Sequence, residues 1–278
     1  MNGVGYLILR LVDLMKNNEI VFEKQKNRIA TITFNRPDDL NAISLDGWKE
    51  ITKISEELKK DDFIRVVVVS GSGDKSFSTG ADIKDFEKNR FDSTSAKKYA
   101  EYFDGALDSL ESLPQPVISM IHGFCVGGGC ELSMATDLRI ASEGSRFGIP
   151  IARLGILIGY SEMRRLVSLV GPGNASYLLL SGKIIDSDLA YKMGLISQVV
   201  KEEDLYKETF ELAEEMATLS PLTHKRTKLI RDTVLKNPNL INLSEDEKNL
   251  PFTNFDSVDF FNARKAFINR EKIRFIGE

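Results

Sequence analysis

Three consecutive glycines, Gly127, Gly128 and Gly129, stand between an apolar run and a helix-forming stretch in PVISMIHGFCVGGGCELSMATD (residues 116–137). Residues 117–121 read as a short buried strand, apolar apart from Ser119. A strand that enters a helix through three residues without a Cβ lets backbone approach something that a side chain would obstruct. The free N–H groups of a helix's first turn can then bind an anion or a developing oxyanion. Glu131 lies two residues beyond the last glycine. Two readings follow. The turn is either built for tight packing, with Glu131 a solvated first-turn acid favoured by the helix dipole, or it opens onto a reacting group.

A second stretch bears on that choice. FSTGADIK (residues 77–84) follows an apolar strand at residues 66–69 and a turn at 70–73. Further segments keep the same order along the chain: ITFNRPDDLNAIS (32–44), DLRIAS with FGIP (137–150), the stretch from Arg164 to Val200, and KAFINREKIRFIG (265–277). Together with HGFCVGGGCEL, they resemble the crotonase (enoyl-CoA hydratase/isomerase) superfamily over nearly everything from about Ile20 onward.

The resemblance implies an α/β fold, a spiral of repeated β-β-α units with a C-terminal helical trimerisation segment. It divides the chain into an extension at residues 1–18, a spiral core at 19–201 and a helical segment at 202–278. The implied substrate is an acyl-CoA thioester, with coenzyme A entering as part of the substrate and no separate cofactor or metal. Its carbonyl is expected between the backbone N–H groups of Ala81 and Gly128, with Glu131 as the catalytic carboxylate. Gly80, Asp82, Ile83 and Gly127 are expected beside it, Asp82 holding its own loop through N–H bonds. Phe267 and Arg270 fall where the family places an aromatic and a basic residue near the CoA adenine and phosphates; otherwise Phe267 packs on its own helix and Arg270 is solvated. A homotrimer or dimer of trimers and a cytoplasmic location complete the expectation.

One departure matters. The family's hydratases place a second glutamate directly after the proline of FGxP, and here that residue is Ile151. Ile158, another loop position where relatives carry polar groups, is also apolar. The wall facing Glu131 is therefore expected to be hydrophobic, suited to an acyl chain rather than an activated water. One-carboxylate chemistry, isomerase-like, is favoured over efficient hydration. Decarboxylation, thioester hydrolysis and a CoA-binding scaffold without turnover are the alternatives. Glu162 reads as a surface acid pairing with Arg165 or Arg164. His122 reads as a backbone hydrogen-bonder at the glycine turn, and His224 as solvated. Ser78 and Ser161 lack a GxSxG elbow, and no phosphate-binding or dinucleotide fingerprint occurs.

Composition narrows the partners. Across 278 residues the net charge is −4, with both signs mixed along the chain. That gives no electrostatic reason to expect nucleic acid or an anionic membrane. Cys125 and Cys130 lie five residues apart without metal-ligand spacing and read as small buried hydrophobes in a reducing compartment. The apolar run at residues 4–15 is interrupted by Arg10 and Asp13, too short and charged to span a bilayer. Residues 1–18 read as an amphipathic extension, or Met15 as the start. Ser44 is expected to cap a helix whose stripe is Trp48, Ile51, Ile54 and Leu58. A polar helix is expected at 85–113, closed by Pro114 and Pro116. After residue 202 the pattern is helical, with a polar loop at 237–254.

Overall fold

The computed structural model describes residues 18–278. The expected N-terminal extension therefore lies, apart from Asn18, outside the described residues. The chain runs β1 (Ile20–Lys24), β2 (Ile29–Phe34), α1 (Leu45–Leu58), β3 (Val66–Gly71), β4 (Ser76–Ser78), α2 (Phe86–Asn89) and α3 (Ser93–Glu111). It continues as β5 (Val117–Ile121), β6 (Phe124–Val126), α4 (Gly128–Met134), β7 (Leu138–Ser142), β8 (Arg146–Gly148) and α5 (Tyr160–Ser181). Last come β9 (Ile185–Asp186), α6 (Ser187–Met193), β10 (Gln198–Val200), α7 (Leu205–Thr218), α8 (Pro221–Lys236), α9 (Glu245–Asn249) and α10 (Val258–Asn269).

Two sheets result. The larger has the order β1-β2-β3-β5-β7-β10, parallel except for β1 against β2. The smaller has the order β4-β6-β8-β9, parallel except for β8 against β9. From β3 to β8 successive strands go alternately to the larger and the smaller sheet, which is the spiral the resemblance implied.

The near-continuous apolar run of β3 is explained by cover on both faces. Val66 and Val68, with Ile29, Ile118 and Ile140, pack under Phe210, Ala213 and Ala217 of α7. Val67 and Val69 point the other way, into the main core with Trp48, Ile51, Leu58, Leu107 and Leu110 of α1 and α3. The expected stripe of α1 is buried, and Ser44 caps it by accepting from Gly47 N at 3.1 Å. Trp48 Nε1 donates to the Tyr99 hydroxyl at 2.9 Å, tying α1 to α3 inside the core.

Some sequence expectations need correction. The helix expected at 85–113 is broken between Asn89 and Ser93, because Asp92 adopts extended backbone and forms a capping box with Ser95. The break leaves Arg90 between two helices. The loop expected at 237–254 contains α9, nucleated by a capping box in which Ser244 and Glu247 satisfy each other's backbone N–H. His224 is half-buried rather than solvated, because α8 is drawn onto the sheet where Lys228 and Arg231 both pair with Asp137 at 2.6 Å. Among the described residues no helix is long and apolar enough to cross a membrane.

Candidate active site

Two loops meet where the small sheet ends. After β4, the Gly80 carbonyl accepts from Ile43 N at 2.7 Å and Asp82 N donates to Ile43 O at 2.9 Å. Every described peptide is trans, so the Ala81 N–H points opposite to the Gly80 carbonyl and away from Ile43. On that far side lies Gly128, the first residue of α4: a Cβ built on Gly128 would stand 3.3 Å from Ala81 N. Gly127 precedes it at φ +56°, with its own N–H donated to Gly148 O at 2.8 Å. Gly128 N opens a helix and has no residue of that helix upstream to accept its proton. Neither the Ala81 nor the Gly128 amide has an acceptor among the described residues. Gly80 is needed for the approach itself, since it sits at φ +86° and a Cβ there would collide with Gly128 N.

Ala81 and Gly128 both line a cavity of about 410 Å³. Glu131 lines it from the first turn of α4 and is only 8% exposed, and its carboxyl has no hydrogen-bond partner among the described residues. Burial, then the Glu162 and Asp104 charges, push its carboxyl up to about 8, against a smaller opposing pull from Arg90. Desolvation thus outweighs the helix dipole, and Glu131 is chiefly protonated at neutral pH.

The opposite wall is not wholly apolar. Ile151 and Ile158 line the cavity, and Ile156 and Leu157 line it with them, Ile151 standing in a short 3-10 turn, Ile151–Leu154. Glu162 and Asp104 line it too. Glu162 is 2% exposed, so the surface reading of this residue is overturned, although its pairing with Arg165 is present at 3.4 Å. Its position in the first turn of α5 folds the carboxylate back over Gly159, where any Cβ would strike Oε2. Asp104, on α3, is raised to about 6 by burial and by the Glu162 and Asp108 charges, and it hydrogen-bonds Glu162. Nothing in the sequence singled out Asp104. Its helix is amphipathic, and an acid on a polar face looks the same whether it faces solvent or a cleft.

Arg90 was also missed. Its guanidinium lies over the Phe86 and Tyr99 rings, at 4.5 and 4.9 Å from their centroids, and lines the cavity. It is there because the helix break turns the chain inward.

The remaining expected residues divide. Asp82 accepts from Lys84 N at 3.0 Å and pairs with Arg36 at 2.8 Å, which makes it a loop fastener. Ile83 is exposed at the cavity mouth. Phe267 is 86% exposed on α10 and does not pack into its own helix surface. Arg270, just past that helix at φ +59°, is exposed. Neither lines the cavity. His122 bonds backbone at Gly73, within the turn before β4, and burial depresses its proton affinity. Cys125 and Cys130 are buried free thiols, as expected. Among the described residues no cluster could hold a metal ion.

Comparison with known proteins gives one answer. A family profile described as enoyl-CoA hydratase/isomerase matches residues 24–278. A short-chain-enoyl-CoA hydratase of Clostridium acetobutylicum is 36% identical over 214 residues, 77% of this chain and 81% of that protein. A crotonyl-CoA hydratase of Syntrophomonas wolfei is 32% identical over 266 residues, 95% of this chain and all of that protein. Among solved structures, an enoyl-CoA hydratase/carnithine racemase from Magnetospirillum magneticum superposes with a TM-score of 0.90 at 33% identity, covering 94% of this chain and 96% of that one.

Proposed function

The chain belongs to the enoyl-CoA hydratase/isomerase family, and on that premise we propose that it transforms an acyl-CoA thioester by moving a proton at the α-carbon. The thioester oxygen sits between the Ala81 and Gly128 amides, and Glu131 carries the proton. The observation behind this reading is the convergence of two amides without acceptors on a cavity that also holds a buried carboxyl without a partner.

The chemistry follows from charge. Removing an α-proton, or adding a nucleophile to the β-carbon, places negative charge on the thioester oxygen. Two preorganised donors stabilise that charge more than the neutral carbonyl, and one such donor contributes about 3 kcal/mol in other enzymes. Glu131 as carboxylate accepts the α-proton, and as acid returns it to the α- or γ-carbon. Exchange and double-bond migration are therefore within reach of this residue alone. Ile151, Ile156 and Ile158 give the acyl chain an apolar bed.

The same reading extends to assembly as a homotrimer or dimer of trimers. In it α10 and the following residues of one copy reach a neighbour's ligand, which supplies a role for an exposed Phe267 and Arg270. No cofactor is required beyond the coenzyme A of the substrate.

The test is solvent-deuterium uptake into butyryl-CoA, followed by mass spectrometry. Uptake confined to the α-carbon, at a rate proportional to enzyme, is expected. Saturable CoA binding without any uptake would leave a scaffold and contradict the proposed turnover.

A further inference from the structure

The three carboxyls of the cavity come from three different elements. Glu131 is on α4, Glu162 opens α5, and Asp104 is on α3. Burying one carboxyl is costly, and burying Glu131 and Glu162 beside the half-buried Asp104 costs more, so an arrangement of this kind marks a site that uses protons. The surroundings show which carboxyl is tethered. Arg165, itself buried, pairs at 2.5 Å with Asp108 and at 2.7 Å with Glu111, and reaches Glu162 only through Oε1 at 3.4 Å. The other oxygen, Oε2, lies over Gly159 with no cation on it. Arg90 faces Glu131 across the cavity and has no ion-pair partner among the described residues. Glu162 is therefore fixed in direction by Arg165 yet keeps one oxygen off any cation, in a cavity where Glu131 supplies a second, unpartnered carboxyl.

We propose that Glu162 supplies the second acid–base carboxylate of this site, with Asp104 as its positioning partner, in place of the carboxylate missing at Ile151. The inference rests on reading the cavity as an acyl-CoA site, and it adds hydration of an enoyl thioester to what Glu131 can do alone. The balance is complete. A water gives a proton to the Glu162 carboxylate as its oxygen bonds to the β-carbon. The π electrons pass to the thioester oxygen between the Ala81 and Gly128 amides. The enolate then collapses, the α-carbon takes the proton of the Glu131 carboxyl, and the proton on Glu162 returns to Glu131 by way of solvent. At neutral pH Glu131 already holds the proton that this step needs.

The experiment uses the intact enzyme with two readouts, hydration of crotonyl-CoA by loss of the conjugated-thioester absorbance and α-deuterium uptake into butyryl-CoA. Wild type is expected to hydrate with a bell-shaped pH profile: its acid limb near 6, where Asp104 takes up a proton, and its alkaline limb near 8, where Glu131 loses one. Glu162→Gln keeps the oxygen that Arg165 contacts and is expected to lose about 10²–10⁴-fold in hydration kcat, with α-exchange still measurable. Retained exchange shows that the variant is folded. Asp104→Asn is expected to remove the acid limb near 6, an effect that a structural role would not produce. A Glu162→Gln enzyme hydrating within tenfold of wild type overturns the proposal. So does a wild type that exchanges but does not hydrate, which leaves the α-proton reading standing. A wild type that does neither overturns that reading together with the proposal.

Discussion

Glu131→Gln is expected to abolish α-proton exchange, with a loss of about 10³-fold or more, while making the protein more stable at neutral pH. The two effects share one cause. The carboxyl is 8% exposed and raised to about 8, from the ordinary glutamate value of 4.5, by desolvation and by the neighbouring Glu162 and Asp104 charges. An acid whose folded value is raised favours its proton in the folded state. Its stability penalty is absent below about pH 4.5, grows as pH rises through the window between the two values, and is complete above about 8. At pH 7 the penalty amounts to roughly 2–4 kcal/mol, and glutamine, which cannot ionise, removes it. Thermal unfolding of both proteins between pH 5 and pH 8 checks this: the variant's advantage should widen as pH rises. Equal melting temperatures across that range would mean that Glu131 is solvated. In wild type, exchange should rise with pH toward about 8, because abstraction needs the carboxylate.

Gly80→Ala is expected to reduce turnover by about 10²–10³-fold, the loss associated with one misplaced oxyanion donor. Two costs coincide at this residue. The backbone is at φ +86°, where a Cβ is strained by about 1–2 kcal/mol, and the added methyl would run into Gly128 N. The two loops can accept it only by separating, which moves the Ala81 and Gly128 amides apart. Gly105 is the matched control: it lies within α3, and an added Cβ meets nothing within 4 Å. Gly105→Ala should leave activity unchanged and gain up to about 1 kcal/mol from helix propensity. If both variants turn over like wild type, loop convergence is not what the chemistry depends on.

The extent to which the site was legible in the sequence follows from where its atoms come from. The strand–glycine–helix junction was readable because Gly127, Gly128 and Gly129 announce a backbone approach, and the stripe of Trp48, Ile51, Ile54 and Leu58 announces a buried helix face. The amides of Ala81 and Gly128 have no side-chain signature and were reached only through the motif resemblance. Glu162 was misread because a Glu followed three residues later by an Arg is the ordinary pattern of an exposed helix pair. Here that pair is buried beneath α3, with Arg165 at 3% exposure held by Asp108 and Glu111, acids more than fifty residues away in sequence. Asp104 and Arg90 owe their roles to the break between α2 and α3 and to the crossing of α3 over the cavity. Local periodicity carries no information about such a crossing.

The most direct test is a crystal structure of the protein with bound butyryl-CoA, a saturated acyl-CoA that can exchange its α-proton but cannot be hydrated, at low pH. The thioester oxygen is expected at about 2.7–3.1 Å from both amide nitrogens, the α-carbon against Glu131, and Phe267 and Arg270 of a neighbouring copy beside the coenzyme. A thioester carbonyl bound away from the Ala81 and Gly128 amides, or an acyl chain that does not enter the cavity holding Glu131, would contradict this expectation.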